Sequence, residues 1–385
     1  MNVVLISPHF PPNVYHFAVA LQGLGATVLG LGDTPYPDLR PELRAALTEY
    51  YRVDNLSSYE ALLRACGHFT HRYGKLDCLE SHNEYWLETD ARLREDFNIP
   101  GPRPALVDSI KRKSRMKRLY LKAGGAAARG TLVRTLSGAR DFAAEIGYPV
   151  IAKPDIGVGA AATFKINNDE ELQRFFDLKP LAAYFVEEFI QGELFSFDGL
   201  ADRNGEVIFE TAHHFNRGIM EVVNENLDMY YTSLRDIPED LRQAGLLALR
   251  VFQVRERFFH IEFFRTPERL LFLELNMRPP GGLTLDMFNY ANDIDLYQAW
   301  AQVAIHGVYP LEYSRPYHCA YVGRKWRRPY QLDFDAVLQR YGELIVQHEA
   351  ISPVLAPAIG DYAYLLRSPD LGILQDAIGA ILALR

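Results

Sequence analysis

A chain of 385 residues that is 48% apolar can build two or three packed cores, and its formal net charge of −8 gives no electrostatic motive for binding nucleic acid. Its three scattered cysteines, Cys66, Cys78 and Cys319, are too few for a disulfide framework or a CxxC metal site and read as reduced thiols. No apolar run approaches the roughly 20 residues that span a bilayer, and the start MNVVLISPHFPP has no basic segment of a signal peptide, so a cytoplasmic protein free of the membrane is expected.

Val3–Ile6 reads as a buried strand, Tyr15–Leu24 as a helix ending near Gly25, and Thr27–Leu31 as the next strand. A helix over Ser58–Tyr73, a strand at Leu76–Glu80 and a helix over Tyr85–Asp96 continue the alternation, which implies βαβ units and a parallel sheet. No GxGxxG follows these strands, so dinucleotide binding has no support. Asn98-Ile-Pro-Gly-Pro-Arg-Pro104 breaks regular structure and makes a linker. Beyond it come a helix (Lys111–Ala123), a strand (Thr131–Arg134), a helix (Gly138–Ile146) and the strand Tyr148–Lys153. A glycine-rich turn then leads to Thr163–Ile166, the helix Glu170–Asp177 and the strand Tyr184–Phe189, a stretch suited to a small lid. Residues 194–285 are strand-rich, and a strand and helix (Tyr362–Arg367, Leu371–Leu384) close the chain.

The most informative stretch is HIEFFRTPERLLFLELNMRPPGG, residues 260–282. Two apolar runs flank Thr266–Leu270, a five-residue hairpin loop centred on Glu268. In that register Arg265 lies opposite Leu271 and Glu262 opposite Glu274. His260, Glu262, Phe264, Phe272, Glu274 and Asn276 then share one face, with Ile261, Phe263, Leu273 and Leu275 turned to the core. Two carboxylates with Cβ atoms about 5 Å apart destabilise a sheet unless one is protonated or a cation lies between them. Two carboxylates and an amide oxygen are hard ligands that suit Mg²⁺. Arg278 offers a fork to a phosphate or carboxylate on the same face. The plain alternative is a solvated hairpin face, against which Phe264 and Phe272 argue.

Lys153 ends the apolar run Pro149–Ala152, where an anionic partner would offset its burial. Asp155-Ile-Gly-Val-Gly159 and three alanines make a small-residue turn that either presents N–H groups to phosphate or only reverses the chain. The basic runs Lys111–Arg118 and Arg324–Arg328 read as solvated surface, apart from Lys113.

In order and spacing these pieces resemble the ATP-grasp superfamily, specifically its carboxylate–amine ligases of the L-amino-acid ligase-like branch. The resemblance covers roughly residues 80–310. It implies an α/β (α+β) fold with an N-terminal parallel βαβ domain (1–104), a small lobe and lid (105–190), and a large catalytic lobe with a C-terminal strand–helix region (191–385). Arg112–Met116 resembles the family's Asp-Lys-x-x-Met signature, implying that Lys113 is one phosphate lysine, while Val150–Pro154 resembles the strand carrying the second, Lys153. Gly157 through Thr163, with Gly159, corresponds to the loop that closes over the γ-phosphate, with Ala160–Ala162 in place of the usual serine. Phe185–Ile190 looks like the hinge, where Glu187, the Glu188 carbonyl and the Ile190 amide would meet adenine. Gly192-Glu-Leu-Phe195 departs from the usual Gly-x-Glu and leaves Glu193 as the ribose ligand. Glu262, Glu274 and Asn276 match the metal ligands, Arg278 the arginine that steadies an acyl phosphate, and Gly281-Gly282 the small-residue loop after it.

The resemblance implies ATP with Mg²⁺, or Mn²⁺ in its place, phosphorylation of a small-molecule carboxylate, attack by an amine, and release of ADP and phosphate, in a chain that forms homodimers. Lys153 and Arg278 would act on the transferring group. His214 and Arg217, at the end of a strand running to the presumed cleft, are candidate substrate contacts, and Asn226–Tyr231 a further wall. A thiol acceptor on the same fold, or a nucleotide sensor that has lost catalysis, are the rival readings.

Overall fold

The computed structural model of the protein describes residues 1–157 and 162–385. Its first sheet is parallel and holds β1 (Asn2–Ile6), β2 (Thr27–Gly32), β3 (Glu49–Arg52) and β4 (Cys78–Glu80) in the order β3-β2-β1-β4. β3 escapes a sequence reading because it is a four-residue, partly exposed edge strand with charged ends. The helix Tyr59–Tyr73 starts where Ser58 Oγ accepts from the Ala61 N–H, and it ends at Gly74, whose φ of 84° needs no Cβ.

The single helix expected over Lys111–Ala123 is two helices, Pro104–Lys111 and Lys113–Lys122, divided by extended backbone at Arg112. The break has a cause in another element. The Asp155 carbonyl accepts from Lys113 N at 2.9 Å, and Asp155 Oδ1 accepts from Ser114 N at 2.9 Å. A carboxylate at a helix start satisfies orphan N–H groups, so the second helix is nucleated afresh at Lys113.

A second sheet joins β5 (Gly130–Val133), β6 (Val150–Pro154), β7 (Phe164–Ile166) and β8 (Tyr184–Glu188) in the order β5-β8-β6-β7. The third sheet is antiparallel, with eight strands: β9 (Glu193–Ala201), β10 (Val207–Phe215), β11 (Met229–Ser233), β12 (Arg257–Arg265), β13 (Leu270–Asn276), β14 (His318–Arg324), β15 (Ile345–Ala350) and β16 (Tyr362–Ser368). Their order is β13-β12-β9-β10-β11-β14-β16-β15. Alternation along β9 and β12 sends Phe195, Phe197, Ile261 and Phe263 into one core with the helix Glu239–Val251. Leu194, Ser196, Asp198, His260 and Glu262 therefore point the other way. The first sheet is not walled off from this one: Val3, Leu5 and Phe17 share a core with Phe258 and Trp300.

Gly199 lies where β9 runs between β10 and β12. A Cβ there would sit 2.1 Å from the Phe209 carbonyl oxygen and 2.6 Å from Phe259 Cζ. Gly199→Ala should cost about 1–3 kcal/mol, as overpacking does, read as a lowered urea midpoint; an unchanged midpoint would show that the sheet yields. Among the described residues no helix is long and apolar enough to cross a membrane.

Candidate active site

A cavity of about 370 Å³ lies between the second and third sheets. Lys113, Lys153, Gly157, Glu187, Glu188, Ile190, Glu262 and Glu274 all line it. Gly159 lies outside the described residues, as do Ala160 and Ala161. Lys113 reaches the cleft from the start of its helix and donates to the Gly157 carbonyl at 3.0 Å. Lys153, on β6, is buried against Glu187 Oε1 at 2.5 Å. The other Glu187 oxygen accepts from Lys117. Burial works against the Glu187 charge, but the two ammonium groups outweigh it and hold the carboxyl below its ordinary range. Burial likewise pulls Lys117 down to about 8 despite Glu187.

The basic run Lys111–Arg118 reads as solvated surface, yet Lys117 is buried. The signal was available, because residues four apart on a helix share a face and Lys113 is its i−4 neighbour. Lys165, on β7, also lines the cleft, with its Nζ 4.0 Å from the Phe189 ring centroid.

The hairpin pairs Glu262 with Glu274 and His260 with Asn276. Its loop is four residues, not five, so Arg265 pairs with Leu270, not Leu271. The register is recovered by a bulge, since Phe263 pairs with Phe272 and Leu273 is the extra residue. Phe272 consequently turns into the core, stacked on Tyr120 at 4.3 Å, and Leu273 instead joins Phe264 on the cleft wall. A strict period of two cannot foresee that exchange.

Glu262 and Asn276 are buried and Glu274 half-buried. Burial would raise the Glu274 pKa, but Lys113 and Lys153 prevail and hold it low, so the carboxylate stays ionised. When the Asn276 amide is turned to satisfy its neighbours, its nitrogen donates to Glu84 Oε2 at 2.8 Å. The other amide position, 3.3 Å from Glu274 Oε1, then belongs to an oxygen. Two carboxylates and an amide oxygen facing one another suit a hard divalent cation such as Mg²⁺.

Behind Glu262 stands a buried chain of polar groups. His260 Nε2 lies 3.1 Å from Glu262 Oε1, and His260 Nδ1 contacts Asp198 Oδ1. Asp198 Oδ2 accepts from Ser196 Oγ at 2.5 Å and meets His213 Nδ1 at 2.9 Å. Burial opposes charge on His260, yet Asp198 and Glu262 overcome it and push the imidazole up to about 10. Burial similarly opposes the Asp198 charge, and His260 leads the groups that draw it down to about 2.

Arg278 Nη2 donates to Glu84 Oε2 at 2.9 Å. Glu84, which no sequence reading near the hairpin suggested, belongs to a 3₁₀ turn after the first sheet. It opens a second cavity of about 710 Å³ that Arg278, Gly281 and Gly282 also line. The crevice follows from topology. β2 and β3 run off one side of β1 and β4 returns on the other, and such switch points open at strand carboxyl ends. Ser7 and His82, just past β1 and β4, line it at positive φ (53° each), strain of the order of 1–3 kcal/mol per residue that functional sites retain. The rest of the wall is largely apolar, including Phe10, Trp86, Leu285 and Leu355.

Three expected contacts lie elsewhere. His214 stacks on Phe195 at 4.7 Å on the face opposite Leu194, so it points away from the cleft; its neighbour His213 faces the site side instead. Glu193 shares that outer face and lies 3.5 Å from His214 Nε2. Strand parity thus turns both away, and Glu221 and Glu225 of the helix Ile219–Glu225 are further acids on the cleft wall. Arg217 lines neither cavity, nor do residues 226–231. Asp228 there is occupied by Arg328 at 2.8 Å and Tyr330.

An ATP-grasp domain family matches residues 146–286. The L-arginine-specific L-amino acid ligase of Bacillus subtilis is 22% identical over 253 residues, which are 61% of this chain and 59% of that protein. The chain thus spans about three fifths of that relative's length. The solved L-amino acid ligase from Bacillus licheniformis superposes with a TM-score of 0.76 at 14% identity, over 99% of this chain and 96% of that one. N5-carboxyaminoimidazole synthetase from Staphylococcus aureus complexed with ADP gives 0.75 at 15% identity, over 99% and 96%. At these identities the superpositions establish a shared fold.

Proposed function

We propose that this chain, an ATP-grasp protein, is an ATP- and divalent-cation-dependent ligase that phosphorylates a small-molecule carboxylate and passes the acyl group to an amine. The observation that carries the reading is the Glu262–Glu274 pair, matched across the hairpin and facing the cleft that Lys113 and Lys153 also line. A bound Mg²⁺ or Mn²⁺ would neutralise phosphate charge as it moves from nucleotide to carboxylate.

In this reading residues 1–104, 105–190 and 191–385 form the N-terminal domain, the small lobe with its lid, and the catalytic lobe. Lys113 and Lys153 hold the phosphates, while Glu187 keeps Lys117 and Lys153 apart and in place. Glu188 and Ile190 border the base, and Phe264 and Leu273 give it an apolar wall. Arg278 lies beyond the hairpin on the second cavity and takes the substrate carboxylate, and Glu84 beside it accepts N–H donors of the amine. The apolar wall of that cavity favours amino acids with apolar side chains over phosphorylated substrates. This joins the fold likeness to an L-amino acid ligase with a pocket that has its own chemistry.

The test is ADP release over a panel of amino acids and other carboxylates, with hydroxylamine present to trap the activated acyl group. Hydroxamate formed with one carboxylate and no amine is the expected result. Nucleotide binding with no ADP release across the panel would instead make the chain a sensor.

A further inference from the structure

We propose that Asp198 and His260 are positioning residues for the divalent cation: they hold Glu262 in the orientation that binds it. This rests on the reading of Glu262 as a metal ligand, and two features of the chain support it. First, the contacts run in one line from the interior to the cleft. Asp198 on β9 grips the Nδ1 side of His260 on β12, and His260 Nε2 meets Glu262 Oε1 at 3.1 Å. One carboxylate oxygen is therefore committed to the imidazole, and Oε2 has no partner among the hydrogen bonds of the described residues.

Second, the sheet itself fixes the spacing. His260 pairs with Asp198 and Glu262 with Ser196 in the β12–β9 register, while His260 and Glu262 lie on one face two residues apart. Asp198 is in turn fixed from its far side by Ser196 Oγ and His213. All four contacts join buried residues, where water competes little for them. Hydrogen-bonded groups behind a ligand orient it in this way, and their loss commonly weakens metal binding 10–100-fold.

The experiment uses the full-length protein and its Asp198→Asn, His260→Gln and His260→Ala variants. Mn²⁺ binding in the presence of ADP is followed by electron paramagnetic resonance, with metal-free ADP binding and thermal unfolding measured alongside. Asp198→Asn and His260→Ala should raise the Mn²⁺ dissociation constant about 10–100-fold while metal-free ADP affinity stays within about twofold. His260→Gln, which keeps a donor towards Glu262, should recover part of the loss. Unchanged Mn²⁺ affinity in folded variants would overturn the proposal and leave the pair a purely structural feature. If the wild-type protein binds no Mn²⁺ with ADP, the reading of Glu262 as a ligand fails first; if it binds Mn²⁺ and the variants match it, only the positioning role fails.

Discussion

Glu274→Ala should reduce carboxylate-dependent ADP release by at least about 10²–10³-fold, the scale on which one fixed electrostatic stabiliser contributes to charge transfer, while the protein stays folded. The two halves of that expectation have separate causes. Loss of activity follows because Glu274 is ionised, faces Glu262 across the hairpin and lies in the field of Lys113 and Lys153. Without it the cation loses one of two carboxylates and the lysines lose a counter-charge that keeps them directed at the cleft. Retention of the fold follows because cross-strand like charges destabilise a sheet, so removing one relieves repulsion. Arg278→Ala should be similarly inactive, yet with nucleotide affinity near wild type, because Arg278 belongs to the second cavity. A coupled assay for ADP and a urea titration read both halves. Wild-type turnover in Glu274→Ala would remove the ligase reading.

Glu80→Ala should cost about 3–5 kcal/mol, the loss seen when one partner of a buried ion pair is deleted. Glu80, at the end of β4, accepts from Arg94 Nη2 at 3.1 Å and from Arg257 Nη2 at 3.2 Å, and all three are buried. Arg257 lies on β12, so its ion pair with Glu80 ties the first sheet to the eight-stranded sheet. Truncation leaves two guanidinium groups without a counter-charge in the interior. Burial pulls the Glu80 pKa upward, and Arg257 followed by Arg94 outweighs it, taking the carboxyl down to about 2 from 4.5. A lowered folded-state pKa means that this stabilisation is complete above about pH 4.5 and is lost as pH falls towards 2. Urea midpoints at pH 7 should therefore separate wild type from Glu80→Ala, and the gap should close as the pH drops through 4.5. A gap that persists undiminished at pH 3 would mean that the deficit is one of packing and not of charge.

Where the sequence was legible, a short-range rule sufficed. Pro and Gly at residues 98–104 mark a real break before the helix at Pro104, whereas alternation with period two places Glu262 opposite Glu274 only because the bulge at Leu273 offsets a loop one residue shorter than the turn residues suggest. Where it failed, a longer-range cause intervened. The split at Arg112 needs Asp155, 43 residues downstream in sequence, and Lys117 of the following helix meets Glu187 of the second sheet in the interior. His213 and His214 continue the same strand, and only the packing of Phe195 against the helix Glu239–Val251 decides which of them faces the site.

By itself, then, the sequence determined most of the kinds of element and their order, and the paired carboxylates of the hairpin, because these depend on local periodicity and side-chain chemistry. The tertiary structure alone decided the bulge at Leu273, the union of Glu84 with Arg278, and the chain from Glu262 to Asp198. Each of these depends on how separate strands and turns meet in space, and neither spacing nor composition records that.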